Sequence, residues 1–255
     1  MTNTSTTPES NRPEAGTARA ASSGQGEGTA PMLLTQVIAY VALIVAGALP
    51  LAAGWTDGAS VGFGGQVPCV IVVAVVLAAF MAYWPLRASL ADRIAAVVFG
   101  VASLLFAITP LVWTMGLMER DPKFAQCDAW ALGAGGLLVL LVVFAFGRQM
   151  AREERSHLIR GLSHAVTAGT AAISAAGWAF LPVLLAVVPT RGMIGIAALI
   201  VIVLFAAALA YASVFWHREM DPDPATKRPW MGVGLLPVML MGATVAIAAL
   251  LLMRL

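Results

Sequence analysis

Apolar residues in this chain come in long continuous runs separated by short polar breaks, without the apolar-polar alternation of a membrane strand. A helix needs about 20 residues to cross a hydrocarbon layer ~30 Å thick, and seven runs approach or exceed that length. They extend from Met32 to Ala53, Val67 to Leu86, Ile94 to Met115, Ala131 to Gly147, Ser163 to Val188, Met193 to Trp216 and Val233 to Met253. A segment in lipid must satisfy its own backbone, so each run is predicted to be a helix. The expected fold is all-α, an integral membrane bundle of about seven transmembrane helices, with residues 32–255 forming that domain.

The polar breaks orient the bundle, because loops on the cytoplasmic side retain Lys and Arg. If the N-terminus is cytoplasmic, that side holds Arg12, Arg19, Arg87, Arg93, Arg148, Arg152, Arg155, Arg160, Arg218, Lys227 and Arg228. The opposite side keeps only Arg120, Lys123, Arg191 and Arg254, so the C-terminus is predicted outside. Tryptophans agree: Trp55, Trp113 and Trp130 fall at outer edges and Trp84, Trp216 and Trp230 at inner ones, with Trp178 alone lying deeper.

Composition adds little to the pattern except at the N-terminus. Hydrophobic residues make up 60% of the chain and charged residues 11%, which suits lipid rather than water. A net charge of +2 without a dense basic block argues against nucleic acid. Residues 1–31 are rich in Thr, Ser, Gly, Pro and Ala, cannot bury enough apolar surface to order, and are expected to form a disordered cytoplasmic tail. The small residues of ALPLAAG would suit a signal-peptide end, but the preceding tail is long and only weakly basic, so the first run is read as a retained helix.

Three runs end alike, in AYWPLR, FAFGR and SVFWHR, each before a basic loop. A threefold hairpin repeat would do this, but aromatics followed by Arg also describe any inner helix end, and no interior residues match. Pro110 and Pro182 each interrupt a helix in its outer half and are candidates for kinks lining a cavity, with Thr109, Thr170 and Ser174 as its uncharged polar groups. In the fifth run, Ala168, Ala172 and Ala176 recur at i+4 beside Gly169 and Gly177. Such a stripe lets another helix approach closely, from this chain or from another membrane-protein subunit, and predicts the most buried helix.

Ionisable residues deep in a membrane mark function, and none lies in the interior of the seven runs. That argues against a retinal Schiff base, because the last run has no Lys, and against carboxylate proton relays. Paired His for haem, HExxH metal motifs and a GxSxG nucleophile are likewise missing from the sequence, so no cofactor, metal or enzymatic activity is expected. The acidic loop residues Glu219, Asp221 and Asp223 are separated by prolines and make a poor cation site.

The richest polar stretch is GRQMAREERSHLIRGLSH. As a helix it places Arg148, Arg152 and Arg155 on one face and Glu153, His157, Arg160 and His164 on another. The four arginines are candidate contacts for anionic lipid headgroups or a phosphorylated ligand, although a solvated linker that fixes topology would look the same. Cys69 and Cys127 both fall toward the predicted outer face, where an oxidising exterior permits a disulfide if their Cα atoms approach within about 7 Å.

The five residues SVGFG, from Ser60 to Gly64, resemble the TVGYG selectivity filter of potassium channels. That filter follows a pore helix of about three turns, roughly 11 residues, but only GWTDGA separates SVGFG from the first run. The stretch is read instead as the Gly-rich tip of an outer turn. Two functional classes remain: a non-enzymatic accessory or structural subunit of a membrane or transport complex, and a small transporter of neutral or lipid-like substrates. A lipid-modifying enzyme is a distant third.

Overall fold

The computed structural model of the chain describes residues 28–57, 60–61, 63–86, 90–109, 125–151, 158–219 and 226–255. The apolar runs become helices α1 (Thr29–Ala52), α2 (Phe63–Ala82), α3 (Leu90–Ile108), α4 (Ala125–Met150), α5 (Leu158–Ala175), α6 (Leu181–Val187), α7 (Gly192–Glu219) and α8 (Pro229–Arg254). Helices α5 and α6 form one column, joined by a 3-10 turn at Ala176–Phe180, and a second 3-10 turn at Val188–Arg191 leads into α7. Most of the predicted tail and Pro110 lie outside the described residues.

Six helical stretches are long and apolar enough to span a membrane, and one of them, Gly161–Arg218, contains 58 residues. Straight, it would extend about 87 Å, nearly three times the hydrocarbon thickness. It folds back at Gly192, whose φ of 52° is open to glycine without strain. The contacts on either side demonstrate the reversal. Arg191 donates to the Met253 carbonyl at the end of α8, whereas Ser213 bonds Gln36 and His217 lies against Gly28 at the start of α1. The stretch therefore supplies two passes, and the protein is an integral membrane bundle of seven.

Contacts between helix ends show successive passes running in opposite directions, giving the bundle two distinct ends. At the near end, Gly28 meets His217, Gly234 meets Met32, Gly232 meets Tyr83 and Pro85, and Gly161 meets Gln149. At the far end, Gln126 bonds Gln66 and the Ala107 carbonyl, and Arg191 reaches Met253. The column α5-α6 and helix α8 sit at the centre. Helix α5 packs on α3, α4 and α8; α8 also packs on α1 and α7; and the 3-10 turn between α5 and α6 touches α2, α3 and α8.

Helix boundaries differ from the sequence expectation where tertiary partners accommodate polar residues. Helix α2 starts at Phe63 rather than Val67, taking in Gln66, and α4 starts at Ala125 rather than Ala131, taking in Gln126 and Asp128. The turn predicted around SVGFG contains a two-residue antiparallel ladder, with Thr56 opposite Val61 and Asp57 opposite Ser60. Ser60 and Val61 belong to this ladder, and Phe63 and Gly64 already belong to α2. The three aromatic-Arg ends also pack differently: Trp84 is fully buried, whereas Phe144 and Phe146 are exposed.

Candidate functional site

Charges near the helix ends connect the bundle at opposite poles. Asp92 in the first turn of α3 accepts from Arg148 in the last turn of α4 at 2.7 Å, at the near end. Asp128 in the first turn of α4 pairs with Arg254 in the last turn of α8, at the far end. Each carboxylate sits at a positive helix N-terminus and each guanidinium at a negative C-terminus, so the macrodipoles reinforce both pairs. Antiparallel neighbours make this possible. The start of one helix lies beside the end of the next, and α4 is held at both ends by one pair.

These contacts change the picture for the predicted arginine stripe. Arg148 is occupied by Asp92 and acts as a helix-to-helix staple. Arg152 and Arg155 lie outside the described residues, and Arg160 falls in the first turn of α5. The structure thus separates Arg148 from the role proposed for the other three.

Deeper in the bundle, polar side chains reach backbone carbonyls of neighbouring helices. Ser103 on α3 donates to the Ile173 carbonyl on α5 at 2.8 Å, and Trp130 Nε1 on α4 donates to the Ser103 hydroxyl at 3.1 Å. One serine therefore ties three helices. Trp178 Nε1 donates to the Val238 carbonyl on α8 at 2.7 Å. Its ring also meets Tyr40 on α1 in a T-shaped arrangement with centroids 6.0 Å apart. The deep tryptophan of the sequence is thus a hub joining α1, the fifth pass and α8.

Pro182 explains the local geometry beside it. Proline has no N–H to bond the Trp178 carbonyl, and its ring crowds that carbonyl one turn earlier. The Leu181 N–H takes that carbonyl in a 3-10 bond, producing the turn at Ala176–Phe180. The helix is interrupted by this 3-10 turn beside Pro182, and the surroundings are packed: Pro182 and Ser174 are buried and Thr170 is half-buried. Thr109 back-bonds to the Leu105 carbonyl of its own helix.

The small-residue stripe on the fifth pass is filled by this chain itself. Ala172 lies under Gly100 of α3, Leu141 of α4 lies over Gly169, and Gly177 faces Gly242 of α8 so closely that a Cβ on either would collide with the other helix's backbone. Ala168 and Ala176 are fully buried. Of the two kinds of neighbour expected for this stripe, the chain itself supplies α3, α4 and α8. Cys69 and Cys127 are both buried free thiols, so the anticipated disulfide is absent. Each is packed within a helix rather than held in an outer loop.

Several buried polar atoms lack a hydrogen-bond partner, among them Gln66 Nε2 at the far end and Trp84 Nε1 at the near end, and two more lie together on α1. On α1, Gln36 and Tyr40 lie one turn apart; the Oγ of the buried Ser213 on α7 lies 3.5 Å from Gln36 Oε1, while the Tyr40 ring packs on Trp178. Ser213 also back-bonds Ala210 at 2.7 Å. Gln36 is 2% exposed, yet its Nε2 has no hydrogen-bond partner, and neither does the Tyr40 hydroxyl. No family model, curated protein or solved structure matches the chain. Interpretation therefore rests on this geometry.

The sequence reading overlooked Gln36, Tyr40, Ser213, Gln66, Gln126, Ser103 and Asp128. Neutral amides and hydroxyls carry no charge to mark them within an apolar run. The available signal was the Gln36 and Tyr40 i, i+4 spacing on an otherwise apolar first run. Among the described residues, no group of three His, Cys, Asp or Glu is placed to hold a metal ion.

Proposed function

We propose that the protein is a non-enzymatic accessory or structural subunit of a membrane complex, seated in a bacterial plasma membrane with its N-terminus cytoplasmic. The observation that carries this reading is the contrast between a tightly tied bundle and α7, whose Ile200, Val201, Val203, Leu204 and Phe205 all face outward. Polar groups elsewhere join helices of the same chain, as Ser103, Trp130, Trp178, Asp92 and Asp128 do. A body fixed in this way suits a scaffold, and α7 is the surface we assign to a neighbouring membrane subunit. Arg152, Arg155 and Arg160 are the proposed contacts for anionic headgroups.

A photocrosslinking amino acid at Val201 or Leu204, activated in native membranes, is expected to yield one defined membrane-protein adduct. The same probe at Val143, on the exposed side of α4, should not yield it. Lipid adducts alone from both positions, with a monomer in mild detergent, would overturn the reading. A second reading, a small transporter of neutral or lipid-like substrates, is favoured by the buried Gln36 Nε2 and Tyr40 hydroxyl on α1. Substrate uptake by the purified chain in liposomes would establish it.

A further inference from the structure

The corner between α1 and α2 encloses a cavity with fixed walls. Helix α1 ends at Gly54, whose φ of 69° lets the Trp55 N–H return to the Pro50 carbonyl at 2.9 Å, so the backbone sets where the indole stands. The ladder pairing Thr56 with Val61 then ties this corner to the start of α2. Between the two helices lies a space of about 680 Å³ lined by Leu49, Trp55, Gly64, Val67, Pro68 and Ile71. That falls within the range of small-ligand pockets, about 300–1,000 Å³.

The lining side chains are uncharged, and the sequence places one polar group among them. Pro68 stands inside α2 and has no N–H to return to the Gly64 carbonyl one turn earlier, and its ring crowds that oxygen. Gly64, the last residue of SVGFG, is exposed, and a Cβ there would meet nothing within 4 Å, so its backbone is open to the cavity. The wall is therefore apolar with a single acceptor, which calls for a donor on the occupant. An ammonium is disfavoured beside the positive N-terminal end of α2, whereas a hydroxyl is not.

Depth and shape narrow the occupant further. Gly64 opens the apolar span of α2, and Ile71 lies seven residues beyond it, about 10 Å deeper at 1.5 Å per residue. The groove thus ends short of the bilayer midplane, which lies about 15 Å from either edge of the hydrocarbon layer, and suits a compact body better than an extended acyl chain. Its walls are the planar indole, the proline ring and a glycine surface without side chain, which match a flat, rigid body that loses little conformational freedom on binding. Leu49 and Ile71 are exposed, so entry is sideways from lipid.

We propose that this cavity binds a fused-ring membrane alcohol, its hydroxyl donating to the Gly64 carbonyl and its apolar rings lying along Trp55, Pro68 and Ile71. The inference is independent of the subunit reading, because the cavity lies between α1 and α2 and the partner surface on α7. A missing partner adduct on α7 leaves it standing.

The test reconstitutes the full chain in phosphatidylcholine nanodiscs with a trace of cholestanol carrying a ring diazirine, and maps the adducts by peptide. They are expected to concentrate on the facing segments 49–55 and 64–71, with few on the exposed face of α4. Unlabelled cholestanol should compete about three- to tenfold better than cholestanone, which has the same skeleton without the hydroxyl donor, the ratio that one hydrogen bond in lipid supplies. Gly64→Leu fills the open space and should lower labelling at least about fivefold with an unchanged thermal midpoint. Pro68→Ala restores the N–H that engages the Gly64 carbonyl, so labelling should persist while the preference for cholestanol over cholestanone falls to about one. Adducts spread evenly over the exposed helices, equal competition by cholestanone in the parent, competition by dioleoylglycerol as strong as by cholestanol, or undiminished labelling of Gly64→Leu would overturn the proposal.

Discussion

Helices α7 and α8 follow one another in the chain and are similarly apolar, yet they have opposite environments. The stretch containing α7 has a mean hydropathy of 2.9 and α8 one of 2.4, so hydropathy does not distinguish the exposed helix from the central one. In α8, most positions from Gly232 to Gly242 are buried, followed by Val245, Ala246, Ala249 and Leu252. Among the described side chains and glycines of α7 from residue 192 to 218, Gly195 and Ser213 alone are buried. Lipid tails are as apolar as Leu, so hydrophobicity alone gives a helix no preference for the core. Both helices contain many small residues, and their placement differs: Gly232, Gly234 and Gly242 of α8 meet neighbouring backbones, whereas Ala207 and Ala208 of α7 stay exposed among branched and aromatic side chains.

The largest expected effect tests that distinction directly. Gly177 and Gly242 face each other at backbone contact, so Gly242→Val must separate α8 from the fifth pass. Overpacking a rigid core typically costs 1–3 kcal/mol, and a backbone obstacle places this variant at or above about 3 kcal/mol. The expected outcome is loss of the monodisperse peak in detergent chromatography. By contrast, Gly135 and Gly136 on α4 have open space where a Cβ would stand. Gly135→Ala should retain the peak and gain up to about 1 kcal/mol from helix propensity. If the two glycine variants behave alike, the placement of small residues is not the sorting rule.

The next effect concerns the far-end staple. Asp128 is 5% exposed, so Arg254→Ala leaves a buried carboxylate without this cation and should cost about 2–4 kcal/mol by thermal or denaturant unfolding. Adding Asp128→Asn should recover part of that loss, because the stranded charge is then removed. Failure of the double variant to improve on Arg254→Ala would mean that the pair contributes little. A smaller effect is expected at the hub: Trp178→Phe retains an aromatic ring but loses the donor to Val238, costing about 1 kcal/mol.

These comparisons also explain what the sequence could convey. The seven passes were legible because continuous apolar length is a local property, and the break at Pro182 because a missing N–H is one too. The starts of α2 and α4 were not, since Gln66 and Asp128 become tolerable only through Gln126 and Arg254, 60 and 126 residues away. The fifth-pass stripe was visible, but its partners on α3, α4 and α8 were not, because small residues advertise close approach without naming the neighbour. The Arg148 staple was hidden similarly: its partner Asp92 lies 56 residues earlier. The polar cluster at Gln36 escaped notice for a different reason, since neutral donors barely alter a hydropathy profile.

The smallest expected effect lies on the outward face of α7, and its size matters to the argument. Val203→Ala and Leu204→Ala remove side chains that are 65% and 64% exposed. In a water-soluble protein such exposed positions are usually neutral within about 0.5 kcal/mol. In lipid the reason is more specific: the folded helix and the separated helix contact the same hydrocarbon, so truncation leaves the hydrophobic balance almost unchanged. Both variants of the purified chain should therefore unfold within about 0.5 kcal/mol of the parent. The same substitutions measured in native membranes distinguish two environments for this face. Equal thermal midpoints place α7 against lipid alone, whereas a loss that appears only in native membranes means that a partner covers the face and that the exposed helix of the isolated chain is the buried helix of its assembly.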